Sequence, residues 1–214
     1  MTDGPAGPPR RGTPRTRAFA RGVMRRFGWD IEGELPSAPK FVIAVAPHTS
    51  NWDFPIGVLA MLAFGVQMSW LGKDAIFFFP VAPVLRWLGG EPVDRSASHG
   101  VVGEAIERFR TREQWVLGIA PEGTRKRTDR WKTGFYRIAA GAGVPVCPAW
   151  IDFPRRRLGL GPLVWTTDDE AADLAKLGRF FRKDMARFPD RYVEEGAIRA
   201  AERQATEETR TIRR

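Results

Sequence analysis

Phe41-Val42-Ile43-Ala44-Val45-Ala46-Pro47-His48-Thr49-Ser50-Asn51-Trp52-Asp53-Phe54 is the stretch on which the fold turns. The apolar run Phe41 to Ala46 reads as a strand, and the run from Phe54 to Phe64 reads as a helix. The turn between them carries a histidine and, five positions on, an aspartate. On one straight helix, residues five apart point about 140° away from each other. His48 and Asp53 can therefore meet only if the histidine lies in the turn and the aspartate opens the helix. Imidazole titrates near neutrality, and a carboxylate that fixes its tautomer and steadies its cation can make it a general base.

Outward from this point, strand-like and helix-like segments alternate. Met68 to Leu71 reads as a strand, Ile76 to Leu88 as a turn-rich apolar hairpin, and Glu91 to Val93 as a strand. A helix is expected from Ser98 to Arg110, with Val102, Ala105, Ile106 and Phe109 on one face. Strands follow at Trp115 to Ala120, Val144 to Ile151 and Leu163 to Thr166, with a helix Phe135 to Gly141 between the first two. Thr167 or Asp168 can cap a last helix reaching Arg187, and the charged residues after Pro189 read as a solvated helix. The pattern predicts a single α/β domain with a mainly parallel or mixed central sheet flanked by helices.

A chain of 214 residues, 43% of them hydrophobic, suffices for one domain with a substantial core and is short for two. The uncharged stretch Phe54 to Gly72 has the length of a membrane span, but Pro55, Gly57, Gly65, Gln67 and Ser69 interrupt it, so helix then strand is expected. The net charge of +9 favours anionic partners such as lipid headgroups, coenzyme phosphates or nucleic acid. No zinc-finger, RNA-recognition or homeodomain signature supports the last of these, and nucleic acid is not expected as a partner. With Cys147 as sole cysteine no internal disulfide forms, and one cysteine with two histidines makes no structural zinc site. No metal is expected.

The Gly, Pro and Arg content of the first residues reads as a disordered basic tail rather than a signal peptide. Phe19, Ala20, Val23, Met24 and Phe27 then recur at helical spacing, with Arg17, Arg21, Arg25 and Arg26 on the remaining arc. This basic amphipathic helix suits an anionic bilayer surface, and its apolar stripe equally suits docking on the core.

Three further clusters bear on chemistry. Gly89-Gly90-Glu91-Pro92-Val93-Asp94-Arg95 pairs a close-approach turn with a guanidinium fork suited to phosphate. Ala120-Pro121-Glu122-Gly123-Thr124-Arg125 follows a strand end, where loops commonly hold ligands. Val144-Pro145-Val146-Cys147-Pro148-Ala149 is a strand between prolines, which makes Cys147 a poor nucleophile. His99 reads as a surface or capping residue. Phe77 to Leu85 is apolar enough to line a channel, face a bilayer or fill the core.

In this order the four clusters resemble the glycerolipid acyltransferase family, typified by 1-acylglycerol-3-phosphate acyltransferases, over Phe41 to Asp152. His48 and Asp53 match the family's His, four residues, Asp block. Gly90 and Arg95 match the second block, and Pro121 to Arg125 match its Pro-Glu-Gly-Thr-Arg loop without change. Pro47 stands where the family often has asparagine, and Thr49 replaces a larger polar residue.

The resemblance implies transfer of an acyl group from acyl-CoA or acyl carrier protein to a hydroxyl of lysophosphatidic acid or a related lysophospholipid, with no further cofactor. His48 and Asp53 are then catalytic. Arg95 and Arg125 grip the acceptor phosphate, Glu122, Gly123 and Thr124 shape the pocket, and Lys73 adds charge. The implied organisation is a tail 1–14, a membrane-surface helix 15–30, an acyltransferase domain 31–192 and a charged helix or tail 193–214. The expected location is the cytoplasmic face of the cell membrane, peripheral or monotopic. A non-catalytic, basic lipid-binding protein on the same fold is the alternative, and it gives His48 and Asp53 no role.

Overall fold

The computed structural model describes residues 7–93 and 100–195. In chain order the elements are α1 (Pro14–Arg26), β1 (Asp30–Glu32), β2 (Lys40–Ala46), α2 (Asp53–Phe64), β3 (Met68–Lys73), α3 (Val81–Trp87), β4 (Gly90–Val93), α4 (Gly100–Thr111), β5 (Trp115–Ile119), α5 (Gly134–Ala142), β6 (Val146–Asp152), β7 (Arg157–Leu160) and α6 (Glu170–Gly178). The strands form one seven-stranded sheet in the order β1-β7-β6-β2-β5-β3-β4. Only β6 and β7 run antiparallel, so the sheet is mixed and mainly parallel, as the alternating pattern predicts.

Strand β2 lies between β5 and β6 and is covered on both faces, which is why it has no polar alternation. Phe41 and Ile43 face α1 and α2, joining Met24, Met61 and Phe64. Val42 and Ala44 face α4, α5 and α6, joining Phe109, Phe135 and Leu174. Connections from β2 and β3 move toward the β4 edge, while those after β4 and β5 move back the other way. A right-handed crossover rule then places α2 on one face and α4 and α5 on the other.

The uncharged stretch after Asp53 divides as expected. Helix α2 ends at Phe64, Gly65 takes the left-handed conformation at φ 67° that closes a helix, and β3 follows. Among the described residues no helix is long and apolar enough to cross a membrane.

Four expectations are corrected. Ile76 to Leu88 is not a hairpin, because β3 and β4 are parallel and need a crossover, which a 3-10 turn at Asp74–Ile76 and α3 supply. Leu163 to Thr166 contributes one bridge, Val164 to Val146. The strand is instead β7, disguised by Arg157 and by Gly159, whose missing side chain makes room for the Trp150 ring. Helix α6 stops at Gly178 rather than Arg187. Leu174, Leu177, Phe181 and Met185 are all buried, but the last two are buried from a looped return.

The fourth correction concerns the termini. Residues 7–13 pack along the sheet: the Gln67 N–H donates to the Pro9 carbonyl at 2.8 Å and Arg11 N–H to Gly65 at 3.0 Å. Tyr192, Val193 and Glu195 are buried, and a Glu195 carboxylate oxygen accepts the Trp131 N–H at 2.9 Å. The chain is therefore still part of the core beyond residue 192. The remainder of the expected C-terminal tail, and His99, lie outside the described residues.

Candidate active site

Strands β2 and β5 are neighbours, yet the chain leaves β2 toward α2 on one face and leaves β5 toward α5 on the other. Loops that part in this way leave a crevice beyond the carboxyl ends of the strands, the usual ligand position in open α/β sheets. The β2 loop carries His48, and the β5 loop carries Pro121 to Arg125.

His48 Nδ1 lies 3.0 Å from Asp53 Oδ2. Asp53 is the first residue of α2, so its carboxylate sits at the positive end of the helix dipole and also accepts the Ser50 N–H at 3.0 Å. Its side chain is almost wholly buried, while 19% of the His48 side chain remains exposed. With Nδ1–H donated to Asp53, Nε2 carries the free lone pair, and no described residue hydrogen-bonds it. This is the geometry of an oriented general base.

Glu122 does not project toward solvent. It is 1% exposed, and both carboxylate oxygens accept the His48 backbone N–H at 3.1 Å. Burial pushes its carboxyl up to about 7; the His48 N–H opposes that shift and the Asp53 charge adds to it. Glu122 thus ties the β5 loop to the β2 loop at the base itself. Gly123, at φ 66°, lets the chain turn against Lys132, whose Cδ would lie 2.8 Å from an added Cβ. Thr124 is used locally, its hydroxyl accepting the Lys126 N–H at 3.2 Å. Arg125 lies on a cleft of about 250 Å³ that Ser50, Asn51 and Trp52 also line. Lys73 closes β3, its backbone in register with Val93. Arg95 lies outside the described residues.

Two cleft arginines escaped the sequence reading, Arg187 and Arg191. They lie on the looped return after α6, which is pinned to the histidine loop. Thr49 is 1% exposed; its hydroxyl accepts the Phe188 N–H at 3.3 Å, and its carbonyl accepts from Arg191 at 3.3 Å. Helix α6 ends at Gly178, well before either arginine. Nothing in the local sequence points back to Thr49.

A second, larger cleft of about 640 Å³ adjoins the first through Trp52 and Arg187. Phe27, Trp29, Ile56, Leu59 and Phe153 give it an apolar lining. Cys147 is fully buried in β6, and burial pushes its thiol up to about 12, so no thiolate nucleophile arises there. No described cluster of His, Cys, Asp and Glu can hold a metal ion.

Comparison with known proteins matches the sequence model of the acyltransferase family over residues 30–152. The 1-acyl-sn-glycerol-3-phosphate acyltransferase of Escherichia coli is 28% identical over 147 residues, covering 64% of this chain and 58% of that protein. The enzyme of the same name from Haemophilus influenzae is 25% identical over 146 residues, covering 63% and 58%. This chain thus spans under two thirds of the length of these curated relatives. The crystal structure of the 1-acyl-sn-glycerophosphate (LPA) acyltransferase PlsC from Thermotoga maritima superposes with a TM-score of 0.57 at 20% identity, covering 80% of this chain and 77% of that one. That likeness bears on the fold.

Proposed function

The chain belongs to the acyltransferase family, and from that premise we propose that it moves a fatty acyl group from a thioester, acyl-CoA or acyl carrier protein, to a hydroxyl of lysophosphatidic acid or a related lysophospholipid. The observation that carries this reading is the 3.0 Å contact between His48 Nδ1 and the buried Asp53 carboxylate at the mouth of the sheet crevice. An alcohol is a weak nucleophile at neutral pH. His48 Nε2 takes its proton as the oxygen attacks the thioester carbonyl, and Asp53 steadies the imidazolium that results. When the tetrahedral adduct collapses, the same imidazolium returns the proton to the departing thiolate. The acyl group passes directly to the acceptor, with no covalent acyl-enzyme.

Arg125 on the polar cleft supports a phosphate-bearing acceptor, since a held phosphate orients the hydroxyl at the base. The adjoining apolar cleft supports a long acyl chain running from Trp52 toward α1. In this reading the enzyme works at an anionic membrane surface on the cytoplasmic side. Phe19 on α1, Phe27 at its C-terminal cap, and Phe78 and Phe79 before α3 are exposed aromatics suited to that interface, and Arg25 and Arg26 immediately precede Phe27.

The test is thiol release from acyl-CoA followed with dithionitrobenzoate. Release that depends on added lysophosphatidic acid and disappears in His48→Ala is the expected result. Equal release in His48→Ala rules out the assigned base.

A further inference from the structure

Three guanidinium groups, those of Arg125, Arg187 and Arg191, come to one cleft of about 250 Å³, and none of them forms an ion pair with a described carboxylate. Several other arginines of this domain are ion-paired: Arg108 and Arg112 share Glu91, and Arg155 bridges Asp152 and Asp184. Asp190 lies between Arg187 and Arg191 in sequence, yet pairs with neither. Like charges gathered without a counter-charge repel one another, and an anion at their centre removes that repulsion.

The two arginines of the return loop are also held rather than free. Arg187 lies over the rings of Trp52 at 5.7 Å, Phe153 at 5.6 Å and Phe188 at 5.9 Å. Arg191 lies over Phe188 at 4.4 Å while donating to the Thr49 carbonyl. Cation–π contacts and a single backbone bond hold these guanidinium groups in place and leave other N–H donors unspent. Preorganised forks of this kind suit a tetrahedral oxyanion.

We propose that Arg187 and Arg191 join Arg125 in a phosphomonoester seat built from the return loop, which holds the acceptor's phosphate beside the histidine loop. The proposal rests on the acyl-transfer reading for the identity of the ligand, but not for the existence of the seat. Phosphate recognition then comes from two segments far apart in sequence, the loop after β5 and the return after α6. Trp52 and Arg187 border both clefts, so a lysophospholipid can place its phosphate in the polar cleft and its chain in the apolar one.

Calorimetric titration of inorganic phosphate into the full chain tests the seat without any turnover. Phosphate should bind the wild type. Arg187→Gln and Arg191→Gln should each weaken it at least tenfold, whereas Arg25→Ala, an equal charge change on exposed α1, should not. Matching thermal melts show that the variants fold. Kinetics then distinguish the source of the phosphate. A tenfold or larger rise in KM for lysophosphatidic acid, with KM for acyl-CoA unchanged, assigns the seat to the acceptor. A rise confined to acyl-CoA assigns the phosphate to the donor and overturns the proposal. Undiminished phosphate binding in both Gln variants also overturns it. Should the wild type release no thiol from acyl-CoA or from acyl carrier protein, acyl transfer fails as a reading while the titration still decides the seat.

Discussion

At the residue scale, His48 and Asp53 could be identified because their spacing is informative only across a strand-to-helix turn, and the sequence on either side supplies that turn. A general base of this kind contributes roughly 10²- to 10⁴-fold. His48→Ala should therefore cut turnover by about 10³-fold with an unchanged melting temperature, measured by thiol release and circular dichroism. Glu122 was legible as a site residue but not in its role. A carboxylate in a cationic loop reads as facing substrate, whereas it is buried and bonded to the His48 backbone. Its carboxyl is raised from 4.5 to about 7, so between those values the folded chain holds a proton that the unfolded chain has released. Stability is thus greatest below about 4.5 as far as this group is concerned, and its contribution is lost as pH rises to about 7. Thermal melts against pH should show that slope in the wild type and lose it in Glu122→Gln. The Gln oxygen still accepts the His48 N–H, so Glu122→Gln should retain more activity than Glu122→Ala.

Among the elements, those with continuous apolar runs were legible, and those set by tertiary pairing were not. β2, β5 and β6 are buried on both faces and betray themselves by composition. β7 has four residues, with Arg157 leading and Gly159 inside, and exists because β6 and β1 flank it. The segment after Gly178 keeps helical spacing in sequence, but Phe181 and Met185 reach the core from a loop, which periodicity cannot distinguish from a helix. Helix α6 depends on Asp173, whose carboxylate accepts from the Tyr136 hydroxyl at 3.0 Å and the Thr167 hydroxyl at 3.0 Å, linking it to α5. Asp173→Ala removes both bonds, although the Tyr136 hydroxyl keeps the Thr167 carbonyl at 2.7 Å and Thr167 itself is exposed. It should cost about 2 kcal/mol in chemical denaturation, since a hydrogen bond to a charged group contributes roughly 1.5–3 kcal/mol.

For the whole molecule, the exposed aromatics and the basic balance belong to one expectation about surfaces. Phe79 is 89% exposed and Phe78 59%, so neither contributes to the core that holds the chain together. Exchanging both for serine should leave the melt unchanged and reduce sedimentation with anionic vesicles by tenfold or more, as burying each ring in a bilayer is worth roughly 1.5–3 kcal/mol. Raised salt should weaken the same binding in the wild type. Thr49 and the Phe188 N–H that it receives are 139 residues apart. During synthesis the histidine therefore emerges long before the segment that buttresses its loop, so the cleft that this segment lines takes shape only late in translation.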